Sequence, residues 1–422
     1  MGPDRTAPFR APPDGEPTPR AEVVIDLAAV RHNITLLSSL AAESGAATMA
    51  VVKADAYGHG LLPVARAALS AGATWLGTCD LASAFELREN GISARLFSWL
   101  DLPNADYIRA ITEDIDLSVS SLEELLIIAG AAHSSGLIAR VHLKIDTGLW
   151  RNGCHPEQWP ELTRAAATQP AVEVVAIWSH LACADETDRS ATDVQAERFE
   201  DAYRVARAAG LEPARHIANS AATLTRLDLH FDLVRVGIAA YGLDPLVRKS
   251  TADLQPAMTF RSSVVLTKRI PPGESVSYGS TWTAQQETTL ALVPVGYADG
   301  IPRSLSGRMA VWIDGRLKQV VGRICMDQLV VDCGDDQPRP GTEVILFGST
   351  RGAPTARDWA NMAGTIDYEI VTGMYRPRVH RRHINNLPLP PHNSSRGVLK
   401  TDTPSVAWRA DLPRPPSDRS PS

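Results

Sequence analysis

The chain has 422 residues, 44% hydrophobic and 21% charged, too many for one ordinary domain and balanced for a globular core. A net charge of −6 gives no basic footprint for nucleic acid or an anionic membrane. Cysteines occur only at 79, 154, 183, 325 and 333, with no C-x-x-C pair. That argues against a disulfide framework or a zinc knuckle and for reduced thiols in a cytoplasm, with no metal site expected.

Residues 1–20 hold six prolines and read as a disordered tail without the apolar core of a signal peptide. No window approaches the ~20 apolar residues of a membrane helix. A strand follows at 22–26, with Asp26 placed to cap a helix from Leu27. Strand-like runs then fall at 47–52, 74–77, 95–98, 116–119, 138–145, 172–179, 214–218 and 232–236. Helix-period segments lie between them at 61–72, 82–90, 121–135, 157–168 and 190–209. In 121–135, the residues Leu122, Leu125, Leu126 and Ala129 keep one apolar face. Eight strands alternating with helices predict a (β/α)8 barrel over 21–255, with a doubly wound open sheet as the alternative. The strand at 22–26 is spare to that barrel and free to pair with the later domain.

From 256 to 385 the texture changes to short β-rich runs: 261–267, 288–294, 308–313, 318–322, 328–332 and 343–347, parted by turns such as Asp314-Gly315. This predicts a C-terminal all-β domain, sandwich or barrel. Residues 386–422 are Pro/Ser-rich and read as a second disordered tail.

The chemistry begins at Ala50-Val-Val-Lys53-Ala-Asp-Ala-Tyr57-Gly-His-Gly60. A lysine at the end of a core strand is costly unless it is neutral, paired or covalently used. A Schiff base to an aldehyde cofactor is one such use; an amine snorkelling to water is the plainer one. In a barrel the site lies at the C-terminal strand ends. There the sequence puts Lys53, then Lys144-Ile-Asp-Thr-Gly-Leu-Trp-Arg151, Ser179-His180, His216-Ile-Ala-Asn-Ser220 and Val234-Arg235-Val-Gly237-Ile238. Gly237, Ile238 and Ser220 offer backbone N–H groups and a hydroxyl where barrels commonly hold phosphate. Phosphate plus a Schiff-base lysine suits pyridoxal 5′-phosphate.

These motifs, with Trp178-Ser-His-Leu-Ala-Cys-Ala-Asp-Glu186, Val276-Ser-Tyr-Gly279, Gly296-Tyr-Ala-Asp-Gly300 and Gly322-Arg-Ile-Cys-Met-Asp327, resemble those of the alanine racemases, fold-type III pyridoxal-phosphate enzymes, over about residues 22–384. The resemblance implies interconversion of L- and D-alanine by two bases, supplying D-alanine for peptidoglycan, in a head-to-tail homodimer with shared sites. It implies that Lys53 joins the cofactor and serves as base on one face of the substrate, with Tyr278 as base on the other. Arg235 would face the pyridine nitrogen, and Tyr57, Ser220, Gly237 and Ile238 would hold the phosphate. Arg151 and the backbone of Met326 would meet the substrate carboxylate. His180 and His216 would support the network, His180 beside the cofactor. Tyr297 resembles a gate tyrosine, Lys144 a lysine often carbamylated, and Asp327 closes the last motif. Trp150 departs from the family's small residue and is expected to crowd the Arg151 loop. A phosphate-contacting tyrosine maps only loosely to Tyr375. A serine or broad-spectrum racemase of the same fold, and a non-catalytic pyridoxal-phosphate-binding homologue, are the alternatives. A decarboxylase would carry an acid where Arg235 stands.

Overall fold

In a computed structural model of the chain, residues 19–248 and 250–386 are described. They form two compact units: Asp26–Ala257 with the residues from His383, and the residues up to Ile25 with Met258–Arg382. The expected tails fall almost wholly on 1–18 and 387–422, outside the described residues. Arg20, read as tail, is held: its guanidinium donates to Asp299 at 3.0 Å, and its carbonyl accepts from Ser262 at 2.6 Å.

Strand β1 (Ala21–Asp26) leads into helix α1 (Leu27–Glu43). Asp26 caps α1, its carboxylate accepting from the Ala28 N–H at 2.8 Å. One stripe of α1 is buried (Leu27, Val30, Ile34, Leu37, Ala41). The barrel strands follow: β2 (Ala47–Val51), β3 (Trp75–Thr78), β4 (Arg95–Ser98), β5 (Ile115–Val119), β6 (Ala139–Lys144), β7 (Val172–Trp178), β8 (Ala214–His216) and β9 (Leu233–Val236). Their order is β8-β7-β6-β5-β4-β3-β2-β9, every pair parallel. The cylinder closes between β8 and β9 through Asp232 N–H to Arg215 O (3.1 Å) and Arg235 N–H to Ala218 O (3.0 Å). A (β/α)8 barrel results, and the open-sheet alternative falls.

The barrel interior is packed, not hollow. Met49, Trp75, Phe97, Ala176, Trp178 and Leu233 form one buried cluster. Deleting the fully buried Phe97 ring would cost about 3–5 kcal/mol. Helix Leu122–Ser135 is capped by Ser121, which accepts from Glu124 N–H, and ends at left-handed Gly136. Its buried face is Leu125, Ile128, Ala129 and Ala132, and Leu126 points outward at 57% exposure. The predicted face was thus rotated: the segment is apolar nearly all round, so only packing on the barrel sets the phase.

In the other unit, strands β10 (Met258–Ser263), β11 (Leu266–Ile270), β12 (Ser275–Val276), β13 (Trp282–Thr283), β14 (Thr288–Val293), β15 (Ala310–Ile313), β16 (Arg316–Val321), β17 (Leu329–Gly334), β18 (Glu343–Phe347) and β19 (His380–Ile384) follow in order. Nine of these strands, β1 included, make one sheet, β11-β14-β17-β16-β15-β18-β10-β1-β19; β12 and β13 pair separately. The single run expected at 261–267 breaks at Val264–Val265. Val264 N–H donates to Thr342 O and Val265 N–H to Leu292 O, so the chain changes neighbours there. Because β10 and β11 sit far apart in the sheet order, that two-residue link requires the sheet to curl on itself. Two short helices, Ala356–Ala363 and Asp367–Thr372, interrupt the β pattern. The first has a capping box of Thr355 and Asp358. Among the described residues no helix is long and apolar enough to cross a membrane.

Gly242 marks a tight joint. Its φ is +80°, and an added Cβ would lie 1.8 Å from Gln255 O. Gly91 has the same φ but open space around it. Gly242→Ala is expected to cost about 2–4 kcal/mol from overpacking plus left-handed strain, and Gly91→Ala about 1 kcal/mol from strain alone. Urea unfolding of the two variants checks this; equal losses would remove the steric account.

Candidate active site

The C-terminal ends of the barrel strands gather the first group of expected site residues. Lys53 stands two residues beyond β2, at the mouth. Ala54, Asp55, Ala56 and Tyr57 all have φ between 53° and 55°, so the chain turns left-handed directly after the lysine. Each such residue costs about 1–2 kcal/mol in an L-chain. Local anchors hold the turn: Asp55 accepts from Leu61 N–H (2.9 Å), and His59 Nδ1 lies 2.9 Å from Tyr57 O. The turn lays the Tyr57 ring against Tyr241, with centroids 4.8 Å apart. The Tyr241 hydroxyl donates to Val51 O at 2.8 Å, tying that stack to the end of β2.

Tyr57 also meets the loop after β9. A Cβ at Gly237 would fall 2.5 Å from the Tyr57 hydroxyl, so any larger residue would have to push the tyrosine aside. Ser220 Oγ accepts from Gly237 N–H (2.9 Å) and Ala239 N–H (3.4 Å). Ser220, Gly237 and Ile238 are buried, Ser220 and Ile238 at the starts of a short helix and a 3₁₀ turn. Hydroxyls and backbone N–H groups in so small a cup suit a compact anion such as phosphate.

Cations dominate the rest of the rim. Arg235 is buried, and among the described residues it pairs with no carboxylate. It donates to Ser179 O (2.8 Å), His216 O (2.9 Å), His216 Nδ1 (3.1 Å) and His180 Nδ1 (3.3 Å). Burial pushes its guanidinium down to about 9, still cationic at neutral pH. Burial, then Arg235 and Arg151, push the Lys144 amine down to about 8. Lys53 is lowered by burial first; Cys79 opposes that, and Arg151 and then Arg235 add smaller downward effects. His180 is held well below its usual range by burial, then by Arg235, Arg151, Lys144 and Lys53. Arg151 and Arg235 thus act on both lysines and on His180. Trp178 lies between two of these groups, with Lys144 Nζ 4.3 Å and Arg235 Cζ 5.0 Å from its ring. Trp150 does not crowd this loop: its side chain is 65% exposed and packs on His155, at the expense of a φ of 52°.

The second group lies in the β unit. Tyr278 sits on a turn between β12 and β13 and is 72% exposed. Ser277 anchors the turn by donating to Arg323 O at 2.7 Å. Gly296 packs so closely that a Cβ would meet Cys325 O at 2.1 Å. That approach lets Tyr297 N–H donate to Cys325 O and Ala298 N–H to Met326 O, both at 3.0 Å. Tyr278, Tyr297 and Met326 therefore ride on interlocked loops, and Asp327 pairs with Arg378 at 2.5 Å. Tyr375 is exposed under Arg381. Two polar residues of the barrel interior, Asp116 and His142, were missed. His142 stands two residues before Lys144 on β6, a spacing that gives both one face of the strand.

Comparison with known families fits this geometry. The family described as "Alanine racemase, N-terminal domain" matches residues 25–245, and "Alanine racemase, C-terminal domain" matches 257–383. An alanine racemase of Salinispora arenicola is 49% identical over 374 residues, covering 87% of this chain and all of that protein. One from Streptomyces coelicolor is 50% identical over 382 residues, covering 87% of this chain and 97% of that one. The crystal structure of alanine racemase from D-cycloserine-producing Streptomyces lavendulae superposes with a TM-score of 0.84 at 47% identity, covering 88% of this chain and 99% of that one. A packed (β/α)8 barrel with a cationic rim, followed by a curled β unit, and matched along both parts, places this chain in the alanine racemase family.

Proposed function

We propose that the protein interconverts L- and D-alanine with pyridoxal 5′-phosphate, working as a homodimer in the cytoplasm and supplying D-alanine for peptidoglycan. The observation that carries this reading is the convergence of Lys53, Lys144, Arg151 and Arg235 on one rim. Such a rim fits a ligand set rich in negative charge, a phosphate and a carboxylate. The Tyr57–Ser220–Gly237–Ile238 cup fits the phosphate, and its one glycine stands where any Cβ would strike the Tyr57 hydroxyl. When bound, the cofactor supplies an aldehyde for an amine and a ring that draws electron density from the substrate's α-carbon.

The chain's own groups do the rest. Burial and neighbouring cations favour the neutral form of the Lys53 amine, which can then take a proton from one face of the α-carbon and return it. Tyr278 serves the opposite face, contributed by a second copy of the chain; its outward projection supports delivery to another molecule. Arg235, fixed by backbone carbonyls, would donate to the cofactor's ring nitrogen and leave it unprotonated, because a guanidinium offers no acceptor for a protonated one. Arg151 draws in the substrate carboxylate. Lys144, with its amine near 8, has enough neutral form to take up carbon dioxide, which would turn a cation into an anion beside Arg151.

Lys53→Ala is expected to abolish the visible absorbance of bound cofactor and to lower racemisation more than about 10³-fold; turnover retained in that variant would refute the role of the amine. Tyr278→Phe should keep the absorbance but slow proton abstraction from one enantiomer by about 10²–10⁴-fold. Deuterium exchange at the α-carbon of each enantiomer measures this, and equal slowing of both would make Tyr278 structural. Mixing Lys53→Ala with Tyr278→Phe subunits should restore part of the activity through hybrid dimers, and no gain despite proven subunit exchange would exclude a shared site.

A further inference from the structure

A polar relay crosses the barrel interior, and the steps above do not use its far end. Asp116, the second residue of β5, is fully buried. Its Oδ2 lies 3.1 Å from His142 Nε2 and accepts from Arg95 at 2.6 Å, while Oδ1 accepts from Arg140 at 2.6 Å. His142 Nδ1 is 2.8 Å from His216 Nε2, and Arg235 donates to His216 Nδ1 at 3.1 Å. Both rings are clamped: His142 stacks on Phe97 (4.3 Å, 19°) and His216 on Trp178 (5.7 Å, 4°).

Hydrogen-bond chemistry permits one pattern of protons. A guanidinium only donates, so His216 Nδ1 is bare and its proton is on Nε2. That proton points at His142 Nδ1, which must also be bare. The His142 proton is then on Nε2 and points at the carboxylate. Burial holds both imidazoles neutral despite the carboxylate beside His142. Burial alone would raise the Asp116 carboxyl, but the His142 bond with Arg140 and Arg95 outweighs it and keeps the group ionised. Reversing any link would set donor against donor in a dry site, costing about 1–3 kcal/mol.

We propose that Asp116 is a positioning residue for racemisation: through His142 it fixes the Nε2–H tautomer of His216, and the bare Nδ1 of His216 then holds Arg235 toward the cofactor's ring nitrogen. The aim of Arg235 rests on the function proposed above, whereas the relay stands on distances within the protein alone. Without the carboxylate, His216 is free to present Nδ1–H to the guanidinium. Arg235 would then swing, the ring nitrogen would be free to take a proton, and the proton lost from the α-carbon would return to the cofactor's former aldehyde carbon; water would release the substrate as its 2-keto acid and leave the amino group on the cofactor. The consequence is loss of fidelity more than loss of binding.

Nitrogen-15 NMR of histidine-labelled protein without added cofactor reads the relay. The expected result is two pH-invariant Nε2–H imidazoles, assigned to His142 and His216 by single replacements. A His216 that is Nδ1–H or doubly protonated overturns the proposal, whether or not any variant folds. In Asp116→Asn the amide cannot accept on both sides, so the tautomers of both rings should become mixed. With cofactor and alanine, conversion of cofactor to its amine form should rise about tenfold relative to racemisation. Unchanged tautomers, or an unchanged partition, would overturn the positioning role. Arg95→Gln removes an ion pair from the same carboxylate without touching the His142 bond; it should lower stability and move neither readout. Shifts in Arg95→Gln equal to those in Asp116→Asn would mean general loosening and would also overturn it. If the protein took up no pyridoxal phosphate, the proposed function would fail while the tautomers still judged the relay.

Discussion

Positive charge gathered at one rim, with Lys144 and Arg235 buried, Lys53 half-buried and Arg151 open to solvent, governs this molecule. Parallel strands all end on the same side, and here those ends bear Lys53, Lys144, Arg151 and Arg235. Moving the Lys144 amine from its usual range to about 8 corresponds to roughly 3 kcal/mol set against its charged form. The surrounding neutral acceptors, backbone carbonyls and imidazoles, hold the guanidinium in direction without cancelling its charge. The rim is therefore specific for anions before any particular anion is considered.

The two units solve the problem of precision in different ways. In the barrel, site residues stand at strand ends, and their spacing follows from register: Met49 pairs with Arg235, and Lys144 with Trp178. In the β unit they stand on loops, and precision comes from backbone contacts too close for side chains. Gly296 against Cys325, and Gly322 against Val276 (2.7 Å from a notional Cβ), are the two examples. A loop so pinned can present an exposed tyrosine with little freedom to wander.

What could be read from the sequence divides along the same line. Each barrel strand was found within two residues because a buried parallel strand is a short apolar run with turn residues after it. Lys53 stood out because it ends such a run. Strand β19, His-Arg-Arg-His-Ile, was missed because it carries no alternation of apolar and polar residues. The phase of helix Leu122–Ser135 was misread because its polar face is too narrow to point. Asp116 and His142 were missed for a deeper reason. Their partners lie 26 and 74 residues away, and only the closed register turns scattered polar residues into one chain of hydrogen bonds.

The left-handed turn after Lys53 also explains why the residues beside the amine are so plain. Ala54, Asp55 and Ala56 all have φ of 53°, and a mirror-image coil tolerates such short side chains and rejects branched ones. Handedness, rather than reactivity, dictates the spelling of this stretch. A valine introduced there would unwind the coil and point the amine away from the mouth, disarming the protein without altering any group that handles a proton.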